Sequence, residues 1–352
     1  MRHTRIFENL RNIGLQSIHS VIRKYDYYFD GKGFNYINNP NSGAIKFLLF
    51  LNDGRLVSSS YDDDNTLKIW NNYELQFVFS GHELDIDNIL ILPDDRIVSS
   101  SIDKIIKIWN SKDGTLIKTL KGSKGFITSL KRISTQENNL IVSASINTMT
   151  IWNIDTEESL LLKGHTHEIT DIGILSDNKI VSSSKDGTIK VWDQGKVIYN
   201  LEGHGEYIHT ILILPDDTIV GGSFDETITV WKNGELITTL EGHYDSISNI
   251  ILLPNNTIAS LDYSQKIIIW NMRTYKVELE WDIDSDFIKV LPDGSIVTTN
   301  KLNTIMVLDN ETSVITHRYF NRDDVYSMDV SGTKIAIGLY NGRILVWHNS
   351  TE

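Results

Sequence analysis

The chain has 352 residues, five prolines and no cysteine, with 40% hydrophobic and 22% charged residues and a formal net charge of −13. Its length exceeds a single hydrophobic core, so it is two domains or one assembled from repeats. The acidity argues against a nucleic-acid or anionic-membrane partner, and the missing cysteine excludes disulfides, thiolate zinc sites and thiol nucleophiles.

In chain order, residues 1–20 form an extension in which Ile6, Leu10 and Ile13 fit one face of a short helix or a docking arm. Its charges interrupt any signal-peptide core, and no later apolar run is long enough to span a membrane. A cytoplasmic location is therefore expected, with a nuclear one left open. VIRKYDYYF (21–29) reads as a strand, and from there a repeated phrase begins. Trp70, Trp109, Trp152, Trp192, Trp231, Trp270 and Trp347 each close an alternating apolar run, with successive differences of 39, 43, 40, 39, 39 and 77. The last gap holds two periods. Leu308, 38 residues after Trp270 and 39 before Trp347, supplies a degenerate eighth anchor.

The phrase before each anchor is the same: VSSSIDKIIKIWN (98–110), VSSSKDGTIKVWD (181–193) and VGGSFDETITVWK (220–232). An apolar run and a polar turn precede it, as in ILILPDDRIV (89–98), and another strand follows the anchor, as in ELITTLEGH (235–243). Period-2 alternation, β-branched enrichment and Pro-Asp or Asp-Gly turns make these short antiparallel strands, four to a unit. No unit could bury its own faces alone.

Gly81-His82, Gly164-His165, Gly203-His204 and Gly242-His243 near the start of the units, with Trp-Asp or Trp-Asn at the end, resemble the WD-repeat signature over roughly residues 25–352. The resemblance implies an all-β fold, an eight-bladed propeller of four-stranded antiparallel blades closed by an N-terminal strand. The chain stops five residues after Trp347, so the last blade is expected to borrow its fourth strand from 21–29. The expected organisation is thus an extension over 1–20 and a propeller over 21–352.

Asp, His, Ser and Trp recur together and imitate catalytic triads: His82, Ser99, Asp103 and Trp109, then His165, Ser182, Asp186 and Trp192. A nucleophile is expected once, not once per blade. In similar propellers these side chains form a buried network that ties each blade together. The set is uneven. Gly221 stands where Ser99 stands in blade 2, Ser264 stands where blade 6 needs Asp, and blade 7 lacks the histidine, the aspartate and the tryptophan, which predicts that blade 7 and its neighbours are the soft part of the ring. Asp282, Asp284, Asp286 and Asp293 have the alternating spacing of a calcium loop, but Phe287 replaces its glycine and Asp its bidentate Glu. His165 and His167 leave only one free imidazole, and Asp62, Asp63 and Asp64 read as a solvated loop tip. No metal and no cofactor is expected.

Strand residues are committed to the sheets, so binding belongs to the loops at the faces. In similar propellers partners dock around the central opening, where each blade contributes a tight-turn position and a first-strand position. The tight turns give Tyr61, Ile102, Ile146, Lys185, Phe224, Tyr263, Lys301 and Tyr340. The first strands give Lys46, Asp87, Thr128, Thr170, His209, Ser248, Asp286 and Tyr326. Of these, Tyr61, Ile102, Ile146, Lys185, Phe224, Tyr263, Lys301, Tyr340, Lys46, His209 and Tyr326 are the expected protein-binding residues. Aromatic and aliphatic side chains on an exposed ring have the composition of a hot spot.

The repeat style is most similar to the propellers of F-box/WD-repeat proteins. The ring, however, has none of the arginines that such propellers use to read phosphate, and about 20 residues before the closing strand leave no room for an F-box. The expected function is a non-catalytic scaffold or adaptor for a protein or peptide segment. The alternative is a substrate receptor in a ubiquitin-ligase assembly. A monomer is expected unless the extension mediates assembly.

Overall fold

A computed structural model describes residues 34–39, 43–61, 65–134, 139–283, 285–299, 304–308, 315–320 and 323–348. Among them the strands assemble into eight four-stranded antiparallel sheets, each a blade of a closed ring. Blade 1 spans 45–79, blade 2 spans 86–121, blade 3 spans 127–163, blade 4 spans 169–202, blade 5 spans 208–240, blade 6 spans 247–282 and blade 7 spans 287–320. Blade 8 takes three strands from 325–348 and its fourth from Phe34–Ile37. None of the helices among the described residues is long and apolar enough to cross a membrane.

The anchors sit in one register. Leu56 pairs with Trp70, Ile97 with Trp109, Ile180 with Trp192, Ile219 with Trp231 and Ile258 with Trp270. Ile296 pairs with Leu308 in the same way, and Ile335 with Trp347. Leu308 is therefore the eighth anchor in space as well as in spacing, and it is buried.

Each pair of neighbouring blades encloses its own apolar cluster. Between blades 1 and 2 it gathers Val57, Ile69, Phe79, Ile86 and Trp109, and between blades 8 and 1 it gathers Ile37, Ile45, Trp70, Ala336 and Ile344. The second cluster closes the ring, helped by Phe50 N donating to Asp329 at 2.9 Å and Ser327 Oγ donating to Ile45 O at 2.8 Å.

The closing strand corrects one expectation. It is Phe34–Ile37, whose partners run from Phe34 opposite Trp347 to Ile37 opposite Ile344; the 21–29 stretch and the extension over 1–20 lie outside the described residues. Connection length explains the difference. Outer strands elsewhere reach the next inner strand through short loops such as 80–85 and 164–168. The loop from Ile37 to Ile45 is of that kind, whereas one from residue 29 would be about three times as long as typical connections.

Candidate binding face and the buried relays

The Gly-His pair places a histidine under the anchor tryptophan. A Cβ on Gly164 would lie 2.7 Å from Trp192 Cη2, and one on Gly203 would lie 2.7 Å from Trp231 Cζ2, so only glycine lets the indole seat. In blade 2, Trp109 Nε1 donates to Ser99 Oγ at 2.8 Å, His82 Nε2 meets that oxygen at 2.8 Å, and His82 Nδ1 meets Asp103 Oδ2 at 2.8 Å. Blade 4 repeats this with Trp192, Ser182, His165 and Asp186. Burial holds His82 and His165 below the ordinary imidazole value, against the pull of Asp103 and Asp186. Burial alone would raise Asp186, yet hydrogen bonds from Thr188, Thr166 N and His165 outweigh it and hold the carboxyl at about 2. The proton order follows: the neutral ring gives Nδ1–H to the aspartate and accepts the serine proton at Nε2. Such a chain resembles a nucleophile, base and orienting acid. Ser99 and Ser182, however, have no exposed surface, so no substrate carbonyl can approach. These relays bind each blade together.

Two relays that the sequence marks as broken are complete. In blade 5, Thr229 Oγ1 takes the place of the missing serine: Trp231 Nε1 donates to it at 2.9 Å and His204 Nε2 lies 2.8 Å away. Thr229 faces Gly221 across the strand pair. In blade 6 the carboxylate is Asp262, 2.7 Å from His243 Nδ1, and Ser264 Oγ donates back to it at 2.7 Å. Both signals were in the sequence, but at a cross-strand neighbour and at a position two residues early.

The expected ring has a common structural origin. In seven blades the inner strand carries a β-bulge, for example between Ile45 and Phe47, Ile208 and Thr210, and Val325 and Ser327. The unpaired residues are Lys46, Asp87, Thr128, Thr170, His209, Ser248 and Tyr326. A bulge re-aims its side chain, here at the mouth of the channel. Blade 7 differs: its register shows no bulge, and Asp286 N bonds Thr299 O at 2.7 Å. The tight turns are tied to the loop before the inner strand, as in Tyr61 N to Ala44 O, Phe224 N to Tyr207 O and Tyr340 N to Asp324 O. Both sets thus share one face.

On that face the aromatic residues gather in two groups. Tyr61 and Tyr326 meet edge to face at 5.4 Å, Tyr326 and Tyr340 lie 6.0 Å apart, and Lys46 Nζ stands 4.8 Å over Tyr61. Across the ring, His209, Phe224 and Tyr263 are mutually 5.9 Å apart, and Tyr207 joins Phe224 at 6.0 Å. Phe224 and Tyr263 remain 42% and 50% exposed. Burial keeps His209 below the ordinary imidazole value, with Asp171 opposing, so its ring can accept from Tyr263, 3.4 Å away.

Ile102 and Ile146 are exposed, while Lys185 is ion-paired with Glu168 at 2.7 Å. Lys301 lies outside the described residues. Tyr207 and Phe126, both exposed, were missed; each immediately precedes an inner strand, a position the sequence reading did not sample. Among the described residues no cluster of three or more acidic or histidine side chains is arranged to hold a metal. Asp293 instead accepts Ser295 N in a tight turn, and Asp286 accepts from Gln265. Asp62, Asp63, Asp64 and Asp284 lie outside the described residues.

The family model for the WD domain, G-beta repeat matches residues 36–71, 73–110, 157–193 and 195–232. Protein DOA1 of Saccharomyces cerevisiae is 28% identical over 132 residues, 37% of this chain and 18% of that protein. Autophagy-related protein 16 of Arabidopsis thaliana is 36% identical over 98 residues, 27% of this chain and 19% of that protein. The aligned stretches therefore span less than a fifth of these relatives. Among solved structures, the computationally designed Ika8 protein superposes with a TM-score of 0.76 at 25% identity, covering 88% of this chain and 97% of that one. The WD40 β-propeller domain of Doa1 superposes with a TM-score of 0.60 at 21% identity, covering 78% and 95%.

Proposed function

Because this chain is a WD-repeat β-propeller, we propose that it works as a non-catalytic scaffold or adaptor, holding a segment of a partner protein against the face that carries the tight turns and bulges. The carrying observation is the pair of aromatic groups on one face, Tyr61–Tyr326–Tyr340 and Tyr207–His209–Phe224–Tyr263, in which Tyr326, Tyr340, Tyr207, Phe224 and Tyr263 are exposed. Covering the exposed half of one such ring removes on the order of 100 Å² from water, worth roughly 2–3 kcal/mol at about 25 cal/mol per Å². Association itself costs about 4–15 kcal/mol, so a single group barely offsets it and a stable complex engages both.

The Tyr61→Ala/Phe224→Ala/Tyr263→Ala variant tests this reading in a comparative pull-down. Its partner set should shrink while its melting temperature stays close to wild type, because Phe224 and Tyr263 are half exposed and Tyr61 sits in a surface turn. An unchanged partner set would remove this face as the docking surface.

A further inference from the structure

A hollow of about 360 Å³ opens at the channel mouth between blades 2 and 5, beside the His209 group. The side chains that decide its chemistry are Asp87, Asn88, Phe126, Thr128, Glu168 and Thr170. Three of them already donate to the next blade. Asn88 Nδ2 donates to Ile127 O at 3.0 Å, Thr128 Oγ1 to Ile169 O at 2.9 Å and Thr170 Oγ1 to Ile208 O at 2.6 Å. These bonds stitch blade to blade and leave the two threonines acceptor capacity only, while Asn88 keeps its side-chain oxygen and one N–H.

The two carboxylates add to this. Asp87 Oδ1 accepts from Lys46 at 2.8 Å and Glu168 Oε2 accepts from Lys185 at 2.7 Å, which leaves the second oxygen of each available. Phe126, 48% exposed, supplies an apolar wall. A hollow that offers acceptors and a ring face, in a chain of net charge −13, complements a flat cation carrying several donors.

We propose that this hollow receives an arginine side chain of the docked partner segment, its guanidinium donating to Asp87 and Glu168 and its plane resting on Phe126. The proposal rests on the same face being the docking surface. It also assigns Lys185 a definite part: its ammonium holds one oxygen of Glu168 in the free protein and offsets part of the charge that the guanidinium would meet. Lys185 is thus an internal competitor rather than a ligand for the partner.

The probe is Nα-acetylarginine amide, with the citrulline analogue as its neutral isostere and the glutamate analogue as the opposite charge. Each is titrated into the full chain and followed by amide chemical shifts. The arginine probe should shift Phe126, Thr128 and Thr170, and the citrulline probe should bind about tenfold more weakly or less, the loss of roughly one charge-assisted contact. Glu168→Gln should weaken the arginine probe and Lys185→Ala should strengthen it, two opposite signs that a merely structural role would not produce. Equal binding of arginine and citrulline, or weakening by Lys185→Ala, would overturn the proposal.

The two readings fail separately. Loss of the partner in the Tyr61/Phe224/Tyr263 variant, with no discrimination for the arginine probe, removes the hollow and keeps the face. Charge-selective arginine binding with an unchanged partner set supports the hollow and removes the face.

Discussion

Asp262 and Ser264 exchange the places that Ser101 and Asp103 hold in blade 2. The usual order is Ser-x-Asp, at 101–103, 184–186 and 223–225, whereas blade 6 reads Asp-Tyr-Ser. The relay survives because the strand end is close enough to His243 for a carboxylate two residues earlier to reach Nδ1 at 2.7 Å, while Lys266 N caps its other oxygen at 2.9 Å. Asp262→Ser should leave a buried imidazole N–H without its acceptor and cost about 1–3 kcal/mol. Asp262→Ser/Ser264→Asp should recover most of that loss by restoring the order of blade 2. Urea midpoints at neutral pH measure both, and a double variant no more stable than the single one would count against this exchange. Thr229 teaches the same point. A Cβ on Gly221 would lie 2.6 Å from Ile189 Cδ1, so a side chain there would have to displace that methyl, and the hydroxyl comes instead from the residue opposite it. A column-by-column reading of the repeats cannot see a donor that moves across a strand pair.

Blade 7 shows how an element survives without its signature. It lacks the relay's histidine, aspartate and tryptophan, keeping only a buried hydroxyl, Thr298, bonded to Ser285; its inner strand is Phe287–Val290 and its second strand Ile296–Thr299, shorter than the six- and five-residue counterparts in blade 4. Leu308 fills the anchor position with less bulk than tryptophan. Trp281, from the outer strand of blade 6, packs in the same cluster as Ile296, Met306 and Leu308 and supplies the missing volume. This compensation is apolar only, because Trp281 Nε1 is buried without a hydrogen-bond partner among the described residues, at a cost of about 1–3 kcal/mol. Amides of Ile288, Val297 and Val307 should therefore exchange faster than those of Ile172, Val181 and Val191 at the matching positions of blade 4, since local opening follows the weakest cooperative unit. Equal protection in native-state hydrogen exchange would show that packing alone replaces the relay. The softness expected here is read from the missing residue types. The compensating tryptophan was not, because it belongs to another repeat.

For the whole molecule, the relays make stability depend on pH in a definite direction. His82 and His165 titrate lower when folded than their ordinary 6.5. Below that value the unfolded chain takes up protons that the native rings refuse, so stability is full above about pH 6.5 and falls as the solution is acidified. Asp186, near 2 when folded against 3.8 ordinarily, contributes stability that is full above 3.8 and lost as pH falls through about 2. Asp225 and Asp262 are also lowered by their bonds, despite burial, and add in the same direction. Asp171 and Asp329 run the other way: burial raises them, against Lys131 and Lys289, so protonating them above 3.8 favours the folded state. Urea unfolding between pH 8 and 3 should show a plateau above about pH 6.5 and a decline below it. Asp171→Asn/Asp329→Asn should steepen the acid side by removing the opposing pair. A curve still rising on acidification from pH 6.5 to 5 would contradict neutral burial of the relay histidines.

The sequence alone determined the repeat, the eight anchors including Leu308 and the strand alternation. These depend on neighbours a few residues apart, where period-2 patterning and turn chemistry act. The tertiary structure alone decided that Phe34–Ile37 closes the ring, that Thr229 and Asp262 complete relays, that Trp281 fills blade 7 and that the ring's aromatics divide into two groups. Each of those outcomes is a distance between side chains on different strands or different blades, such as Tyr61 and Tyr326 at 5.4 Å, which becomes defined only once the ring has closed and its blade interfaces have packed.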